Sequence, residues 1–396
     1  MVKIVHTADF HLGIGLSELE SSQLINEVRL NDLLRNFEEI KNFTINNEAD
    51  FLIIAGDVFH HPRPSLRTLN DFSKILGEII NNEIDVIITL GNHDVAKIYE
   101  RLNVLRSFRN LNIKNLHIFE DAKYEIIEGK RSNEKVKFIG LPYPLFHHLY
   151  PSEFISKFED KLNELINQGN NYDHLVVVGH FYVEGGKIGS ERSVEPIVIR
   201  EVPIPRRILE RKEIDLVCLG HLHTPQEIGE KIFYSGSIER MDFSEENEEK
   251  SFLFINLKDK IYYERIKLPM RPMKTIPSKG YIEVYNSLNP EQDIIKFLEK
   301  ENIENETILR IMLMIGENQR KPSINVLDKY LKEKRKVLAY KIEFLRRKEK
   351  ESIVNLSKKS DIEELLTEYL NKKYKDQELT KRVKEEAIKI MKEHED

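Results

Sequence analysis

Residues 51–60 read Phe-Leu-Ile-Ile-Ala-Gly-Asp-Val-Phe-His, and this stretch decides the fold. Its first five residues form an apolar run that is too short for a helix and lacks alternation. Such a run is typical of a parallel strand that is buried on both faces. A glycine then allows the backbone to turn sharply, and an aspartate and a histidine follow. The stretch therefore predicts a buried strand that delivers polar side chains to the edge of a sheet.

The same arrangement recurs over residues 1–268. Between the early apolar runs, apolar residues at three- and four-residue intervals predict helices over 24–45 and 66–80. This alternation predicts an α/β layered domain, and the last three predicted strands are close enough in sequence to form an antiparallel finish to the sheet. The further strands are predicted at 3–8, 86–90, 138–141, 175–178, 216–219, 232–234, 252–257 and 261–266.

Proline residues mark the end of this first domain. Pro269, Pro272 and Pro277 predict a linker, and a small βαβ unit is expected after it. The predicted domains are residues 1–268, a linker with a small α/β domain over 269–322, and a helical region over 323–396. Two later helical stripes begin near residues 362 and 383 of that region. The first apolar stripe of the predicted helical region 323–396 consists of Leu327, Leu331, Leu338, Ile342 and Leu345.

The overall composition excludes several classes of protein. Hydrophobic residues make up 40% of the chain and the formal net charge is −6, which excludes a wholly disordered chain and a strongly basic nucleic-acid coat protein. No apolar run approaches the length of a membrane span, and we expect no signal peptide because Met1 opens directly into a strand-like segment. The one cysteine, Cys218, cannot form an internal disulfide, which favours a reducing, cytoplasmic location.

Nearly every predicted buried strand ends in side chains that can bind a metal ion. In open α/β sheets ligands collect at the carboxyl ends of strands, so we expect these side chains to converge. Carboxylates, an amide oxygen and imidazoles, without a thiolate, suit Mn, Fe or Zn in a six-coordinate or similar site. The set is too large for one ion but would serve two ions bridged by Asp57, which lies at the middle strand end. The candidates are Asp9, His11, Asp57, Asn92, His180, His221 and His223.

Two residues beside these ligands are candidates for other roles. His93 directly follows Asn92, so it is expected to point near the ions without binding them. An imidazole there suits a general acid, because its ordinary pKa lies near neutral pH. Asp94 is expected to orient His93, and a capping or solvent-facing carboxylate is the alternative interpretation.

These ordered motifs resemble those of the calcineurin-like metallophosphoesterases. More narrowly, the chain is similar to the DNA double-strand-break-repair nuclease branch, which comprises the meiotic recombination eleven and SbcD exonuclease proteins. The resemblance covers most of residues 1–268. The narrower resemblance rests on 56–60 with Arg63-Pro64-Ser65, on 179–185 with Ser190-Glu191-Arg192, and on 235–237 with Phe243-Ser244-Glu245 and Lys250.

The resemblance implies a four-layer metallophosphoesterase β-sandwich flanked by helices, a small α+β capping domain and a helical C-terminal tail. It implies a nuclease that processes DNA ends in double-strand-break repair with two divalent ions, expected to be Mn²⁺. His93 would assist the leaving group, and His60 would assist catalysis. The implied ligands are Asp9, His11, Asp57 and His223 for one ion, and Asp57, Asn92, His180 and His221 for the other.

The basic region after residue 328 is the candidate partner-binding segment. Residues 329–350 contain ten Lys or Arg against three Asp or Glu, interleaved with the first apolar stripe. A solvated helix packed on its own domain is the alternative. The resemblance implies docking on the coiled coil of an ABC-type ATPase of the radiation-sensitive-fifty/SbcC class. It also implies a homodimer through the first helix, although Leu24, Ile25, Val28 and Leu33 would equally suit a core.

Two other functions compete with a DNA nuclease. One is a phosphatase or phosphodiesterase that acts on a small phosphorylated molecule with the same metal centre. The other is a non-catalytic scaffold, which the full set of ligands disfavours. The nuclease-like flanking residues, His60 and the region after residue 268 favour DNA as the substrate.

Overall fold

A computed structural model describes residues 1–15, 23–95, 103–143, 150–189 and 202–347, together with Leu370, 382–384 and 386–387. In these ranges the helices are α1 (Gln23–Asn46), α2 (Leu66–Asn81), α3 (Val104–Asn110), α4 (Pro151–Asn167), α5 (Arg206–Leu209), α6 (Pro290–Lys300) and α7 (Ile324–Lys329), with a 3₁₀ turn at Phe243–Glu245 and a π turn at Tyr330–Lys334. The strands are β1 (Val2–Thr7), β2 (Phe51–Ala55), β3 (Asp85–Thr89), β4 (Leu116–Phe119), β5 (Lys123–Glu128), β6 (Lys135–Leu141), β7 (His174–His180), β8 (Leu216–Gly220), β9 (Gln226–Ile228), β10 (Ile232–Tyr234), β11 (Ser251–Leu257), β12 (Ile261–Lys267), β13 (Met273–Ile276), β14 (Ile282–Glu283), β15 (Ile308–Gly316) and β16 (Ala339–Arg347).

Two six-stranded sheets contain the strands of the predicted first domain. The first has the order β12-β11-β1-β2-β3-β4, with β1 to β4 parallel and β11 and β12 antiparallel at one edge. The second has the order β5-β6-β7-β8-β10-β9, with β6, β7, β8 and β10 parallel. The predicted antiparallel finish is confirmed for β11 and β12. It is wrong for β10, which lies beside β8 in the second sheet.

Strand β2 shows how its sequence determines these layers. Phe51, Ile53 and Ala55 pack into a core that residues of both sheets share. Leu52 and Ile54 point to the other side and pack into a core with residues of α1 and α2. All five side chains are fully buried, which explains the continuous apolar run. Because β1 to β3 are parallel, their carboxyl ends lie at the same edge of the sheet.

A third sheet begins within the proline-containing stretch and continues after it. It has the order β13-β15-β14, and β16 also pairs with β15. The predicted linker therefore contains a strand, β13. The chain divides into two compact units: Met1–Ile282, Asn289–Leu313 and Pro322–Glu343 form one, and Glu283–Leu288, Met314–Lys321 and Phe344–Asp396 form the other. The domain boundaries at residues 268 and 322 stay a prediction.

The structure corrects the helical stripe predicted from Leu327 to Leu345. Only its first part is helical, since α7 and the π turn end at Lys334 and residues 339–347 form strand β16. Lys336 adopts a left-handed backbone, with a φ of 51°, that no helix can continue. The strand alternates Tyr340, Ile342 and Phe344 with smaller or charged residues, a pattern that favours a strand.

The side chains of this stripe have different environments. Leu327 and Leu331 are fully buried, Leu338 packs partly buried against a small core, Ile342 is half-buried, and Leu345 is 43% exposed. Of the two later predicted stripes, the structure describes only Leu370, 382–384 and 386–387, which are helical. No helix in the described part of the chain is long and apolar enough to cross a membrane.

Candidate metal centre

The predicted ligands lie where parallel strands end in the two large sheets. Those from the first sheet follow β1, β2 and β3, and those from the second sheet end or follow β7 and β8. Within this set, the structure brings together two groups whose ligand atoms lie within 4.8 Å of one another. The groups are Asp9, His11 and His223, and Asp9, Asp57 and His180.

In the first group, the buried rings of His11 and His223 face each other through their Nε2 nitrogens. Nε2 of His11 lies 3.1 Å from Nε2 of His223 and 3.5 Å from Oδ2 of Asp57. Two imidazole nitrogens at this distance cannot both carry a proton, so at least one lone pair points into the space between them.

The second group is centred on His180. Its Nδ1 donates to the carbonyl oxygen of Ala55 over 2.7 Å, which directs Nε2 toward Oδ2 of Asp57 at 3.3 Å and Oδ1 of Asn92 at 3.0 Å. Nδ1 of His221 lies 3.2 Å from the same Asn92 oxygen. Oδ2 of Asp57 is therefore close to His11 of the first group as well as to His180 of its own group, and Asp9 belongs to both groups.

The backbone at these residues is held in an uncommon conformation. Asp9, His11, Asp57 and His221 have φ values of 52°, 45°, 52° and 92°. Left-handed backbone is unfavourable for residues with a Cβ and persists when surrounding contacts determine it. Such contacts are present, because the N–H of His11 donates to the Asp57 carbonyl and the N–H of His221 donates to the Asp9 carboxylate. Strain of this kind is found preferentially at functional sites.

Two glycines make the close approach of these side chains possible. A Cβ at Gly91 would overlap the Asp57 carboxylate, and a Cβ at Gly56 would overlap the imidazole of His180. Gly56 also has a φ of 88°, which favours glycine. The glycines that follow β2 and β3 therefore allow close packing at the site, and Gly56 also allows the turn.

The chemistry of this donor set fits divalent cations. Around His180, an imidazole nitrogen, a carboxylate oxygen and an amide oxygen converge, and all three can donate electron pairs to a cation. Neighbouring ligands of a six-coordinate ion with bonds of about 2.1 Å lie about 3 Å apart. The observed separations of 3.0, 3.1 and 3.3 Å match that spacing.

The electrostatic environment of the site also favours a bound cation. Burial lowers the pKa of His180, but the carboxylates of Asp57 and Asp9 outweigh it and raise the pKa to about 10. Burial would raise the pKa of Asp57, but His180 and His93 hold it well below its ordinary value. The site therefore stabilises positive charge beside an ionised Asp57, which is the property that a cation requires.

His93 and His60 lie beside these groups. The backbone N–H of His93 donates to Oδ1 of Asp57 over 2.9 Å, and Nδ1 of its ring donates to the carbonyl of His60 over 3.0 Å. The two rings stack with centroids 4.9 Å apart. Ring nitrogens of His11, His60 and His93 also lie within 4.8 Å of one another. Burial is the largest cause that lowers the pKa of His60, to about 3, so its imidazole is neutral.

Asp94 connects two of the loops that carry these residues. Its buried carboxylate accepts the backbone N–H groups of Val58 at 3.3 Å, Phe59 at 3.1 Å and Gly91 at 3.0 Å. It therefore fixes the loop after β2 against the loop after β3. That role for a capping carboxylate was the alternative interpretation of the sequence.

Three residues at the site were not among the predicted site residues. The ring of Tyr143 lies against those of His180 and His221. Glu245 lies behind His223 and is bound by Lys250. Glu245 and Lys250 lie within motifs that carry the resemblance, so those motifs were the available signal, whereas nothing in the sequence around Tyr143 connects it to the site.

Three further histidines lie away from the two ligand groups. His6 is fully buried in β1, His117 pairs with Asp85 and Glu125, and His174 contacts Glu134. His394 and Ser190-Glu191-Arg192 lie outside the described residues.

Comparison with known proteins gives three findings. The model of the calcineurin-like phosphoesterase family matches residues 2–225. The SbcD component of the nuclease SbcCD from Staphylococcus epidermidis is 29% identical over 286 residues, which cover 69% of this chain and 71% of that protein. The crystal structure of a dimetal phosphatase from Danio rerio aligns with a TM-score of 0.40 and 9% identity, covering 67% of this chain and 95% of that one. A similarity as low as this last one carries no argument.

Proposed function

Because the chain belongs to the calcineurin-like phosphoesterase family, we propose that it is a two-metal DNA phosphodiesterase that processes DNA ends in double-strand-break repair. The observation that carries this proposal is the 29% identity, over 69% of the chain, with a protein named as part of a nuclease. The two ligand groups around Asp57 support a metal-dependent hydrolysis.

We assign the ligands of two Mn²⁺ ions from the geometry and the resemblance together. When bound, such ions would lower the pKa of a shared water and neutralise charge on the phosphoryl oxygens. Asp57 would belong to both positions, since its Oδ2 lies near a histidine of each group. The first position would consist of Asp9, His11, Asp57 and His223, and the second of Asp57, Asn92, His180 and His221.

His93 is suited to protonate the departing sugar oxygen. Its Nδ1 is engaged by the His60 carbonyl, so Nε2 is the ring nitrogen that can exchange a proton with a substrate. The bond from its backbone N–H to Asp57 fixes the residue beside the ligands. His60 would assist by holding the His93 ring through its carbonyl and through the stacked imidazole.

The proposed partners are DNA ends, a coiled-coil ABC-type ATPase and a second copy of this chain. The name of the similar bacterial protein describes it as one component of the multi-subunit nuclease SbcCD. Leu327 and Leu331 are fully buried within their own unit, so we place the ATPase contact at Leu345 and the residues that follow it. Removing residues 348–396 is expected to abolish co-purification with such an ATPase, and unchanged co-purification would contradict this contact.

One experiment separates the proposed nuclease from a small-molecule phosphatase. End-labelled single- and double-stranded DNA is incubated with the full chain and Mn²⁺, Mg²⁺ or a chelator, beside p-nitrophenyl phosphate and bis(p-nitrophenyl) phosphate. We expect Mn²⁺-dependent shortening of the DNA and hydrolysis of the diester, both lost with the chelator. Cleavage of p-nitrophenyl phosphate alone would favour the phosphatase and contradict the proposal. The Asp57→Asn variant shows that any cleavage comes from this protein.

A further inference from the structure

A buried charged network lies behind His223, on the side away from the other ligands. Glu245 and Lys250 are 1% and 0% exposed. Nζ of Lys250 lies 2.8 Å from Oε2 of Glu245 and 2.8 Å from Oε2 of Glu248, and it donates to the carbonyl oxygen of His223 over 3.0 Å. An ammonium group has three donors, so these three contacts direct all of them. The position of Lys250 is therefore fixed relative to both His223 and Glu245.

The carboxylate of Glu245 connects this network to the imidazole. Its Oε2 accepts the backbone N–H of Met241 over 2.8 Å in addition to the contact from Lys250. Its Oε1 lies 3.4 Å from Nδ1 of His223. An ionised carboxylate can only accept, so the imidazole nitrogen that faces it must carry the proton. Nε2 of His223 then presents its lone pair toward Nε2 of His11, at 3.1 Å.

We propose that Glu245, held in place by Lys250, is a positioning residue that keeps His223 in the Nδ1–H form and thereby sets the metal affinity of the position formed by Asp9, His11 and His223. A carboxylate that accepts a proton from a ligating histidine orients the ring and increases its basicity as a ligand. This inference rests on the proposed function, because it assumes that His223 binds an ion.

The second position has a different arrangement, and this difference makes the inference specific. Nδ1 of His180 donates to the backbone carbonyl of Ala55 over 2.7 Å. A carbonyl fixes the orientation of the ring but has no formal charge. This hydrogen bond of His180 does not involve Glu245, so a substitution at Glu245 would leave it in place. Loss of the Glu245 charge should therefore weaken one ion position and leave the other one unchanged.

The test is a Mn²⁺ titration of the full chain by isothermal calorimetry, with free Mn²⁺ followed by electron paramagnetic resonance. For Glu245→Gln we expect one of two Mn²⁺ ions to bind about 10- to 100-fold more weakly, with the other at its wild-type affinity. Glu248→Gln is the matched control, because Glu248 contacts Lys250 as closely but its carboxylate faces Thr224 rather than the His223 ring. It should retain both affinities.

Two results would overturn the inference: both Mn²⁺ affinities of Glu245→Gln at the wild-type value, or both lowered equally, as a general loss of structure would do. A second measurement covers the case in which this variant fails to fold. Nitrogen-15 chemical shifts of the histidine rings in the wild-type chain should show His223 protonated at Nδ1, and protonation at Nε2 would also overturn the inference.

These outcomes are distinct from those that test the proposed function. If the wild-type chain binds two Mn²⁺ ions and Glu245→Gln weakens one, the inference holds even when no DNA is cleaved. If the wild-type chain cleaves DNA while Glu245→Gln binds Mn²⁺ as tightly, the inference is wrong and the proposed function stands. If the wild-type chain binds no Mn²⁺, both are wrong.

Discussion

A histidine lies close to carboxylates at each end of strand β3, yet the chemistry of the two clusters differs. At the amino end, the ring nitrogens of His117 lie 2.7 Å from Glu125 and 3.1 Å from Asp85. One imidazolium can donate to both carboxylates, so every group in this cluster has a complementary partner. At the carboxyl end, Asn92 and His93 join a site where imidazole nitrogens face each other and face further acceptors.

This difference shows what distinguishes a metal centre from a structural ion cluster. A cluster in which each lone pair meets a proton is complete without any ion. At the metal centre, carboxylate and imidazole groups that can offer lone pairs converge on one another, and a cation can accept those lone pairs. The backbone agrees, because Asp9, His11 and Asp57 have positive φ values whereas Asp85 and His117 lie in regular strands. Proximity of His and Asp alone therefore does not identify a metal site.

The largest expected effect comes from removing the shared carboxylate. Asp57→Asn should lose Mn²⁺ binding and reduce cleavage by about 1,000-fold or more, because charge stabilisation by such ions contributes several kcal/mol. Asp85→Asn, at the other end of β3, is the matched control and should bind Mn²⁺ as the wild-type chain does. Calorimetric titration and a DNA cleavage assay on both variants measure these effects. Equal loss of Mn²⁺ in the two variants would remove the distinction between the two ends.

An intermediate effect is expected for the proposed general acid. His93→Gln should retain Mn²⁺ binding and lose about 100- to 10,000-fold in cleavage rate, because the glutamine side chain cannot replace the imidazole as a proton donor to the leaving group. His117→Gln should cleave at the wild-type rate. Mn²⁺ affinity and single-turnover cleavage are measured side by side. If His93→Gln loses Mn²⁺ as Asp57→Asn does, His93 is a ligand and the proposed role is wrong.

The sequence predicted the strand ends well because their cause is local. In Phe51–Ala55 the continuous apolar run itself predicts a buried strand, and Gly56 before Asp57 predicts the turn that follows it. The contacts between ends are not local, since Glu245 contacts His223 and Tyr143 contacts His180 across distant parts of the sequence. Spacing along the chain carries no information about such pairs.

The helical stripe predicted after residue 322 was wrong for a related reason. Leu338, Ile342 and Leu345 have helical spacing, but the same segment also alternates Tyr340 with Ile342 and Phe344. Both patterns are present, and pairing of β16 with β15 selects the strand. Where two periodicities compete within nine residues, the partner surface determines the structure, and a sequence read segment by segment does not contain that surface.

The smallest expected effect is a pH dependence of stability at the amino end of β3. Burial lowers the pKa of His117, but its hydrogen bonds to Asp85 and Glu125 outweigh it and raise the pKa from 6.5 to about 9. Protonated His117 therefore stabilises the folded state fully below pH 6.5, and this contribution is lost as the pH rises through about 9. We expect it to be on the order of 3 kcal/mol.

His117→Gln should remove this change of the free energy of unfolding with pH. Urea unfolding of the wild-type chain and the variant, below and above that pH window, would measure it as a slope. The slope also tests the comparison between the two ends. A cluster that is complete with one proton has no place for a cation, so the wild-type slope should be the same with and without Mn²⁺. If Mn²⁺ abolished it, the ion would be displacing the His117 proton, and the amino end of β3 would itself be a metal site.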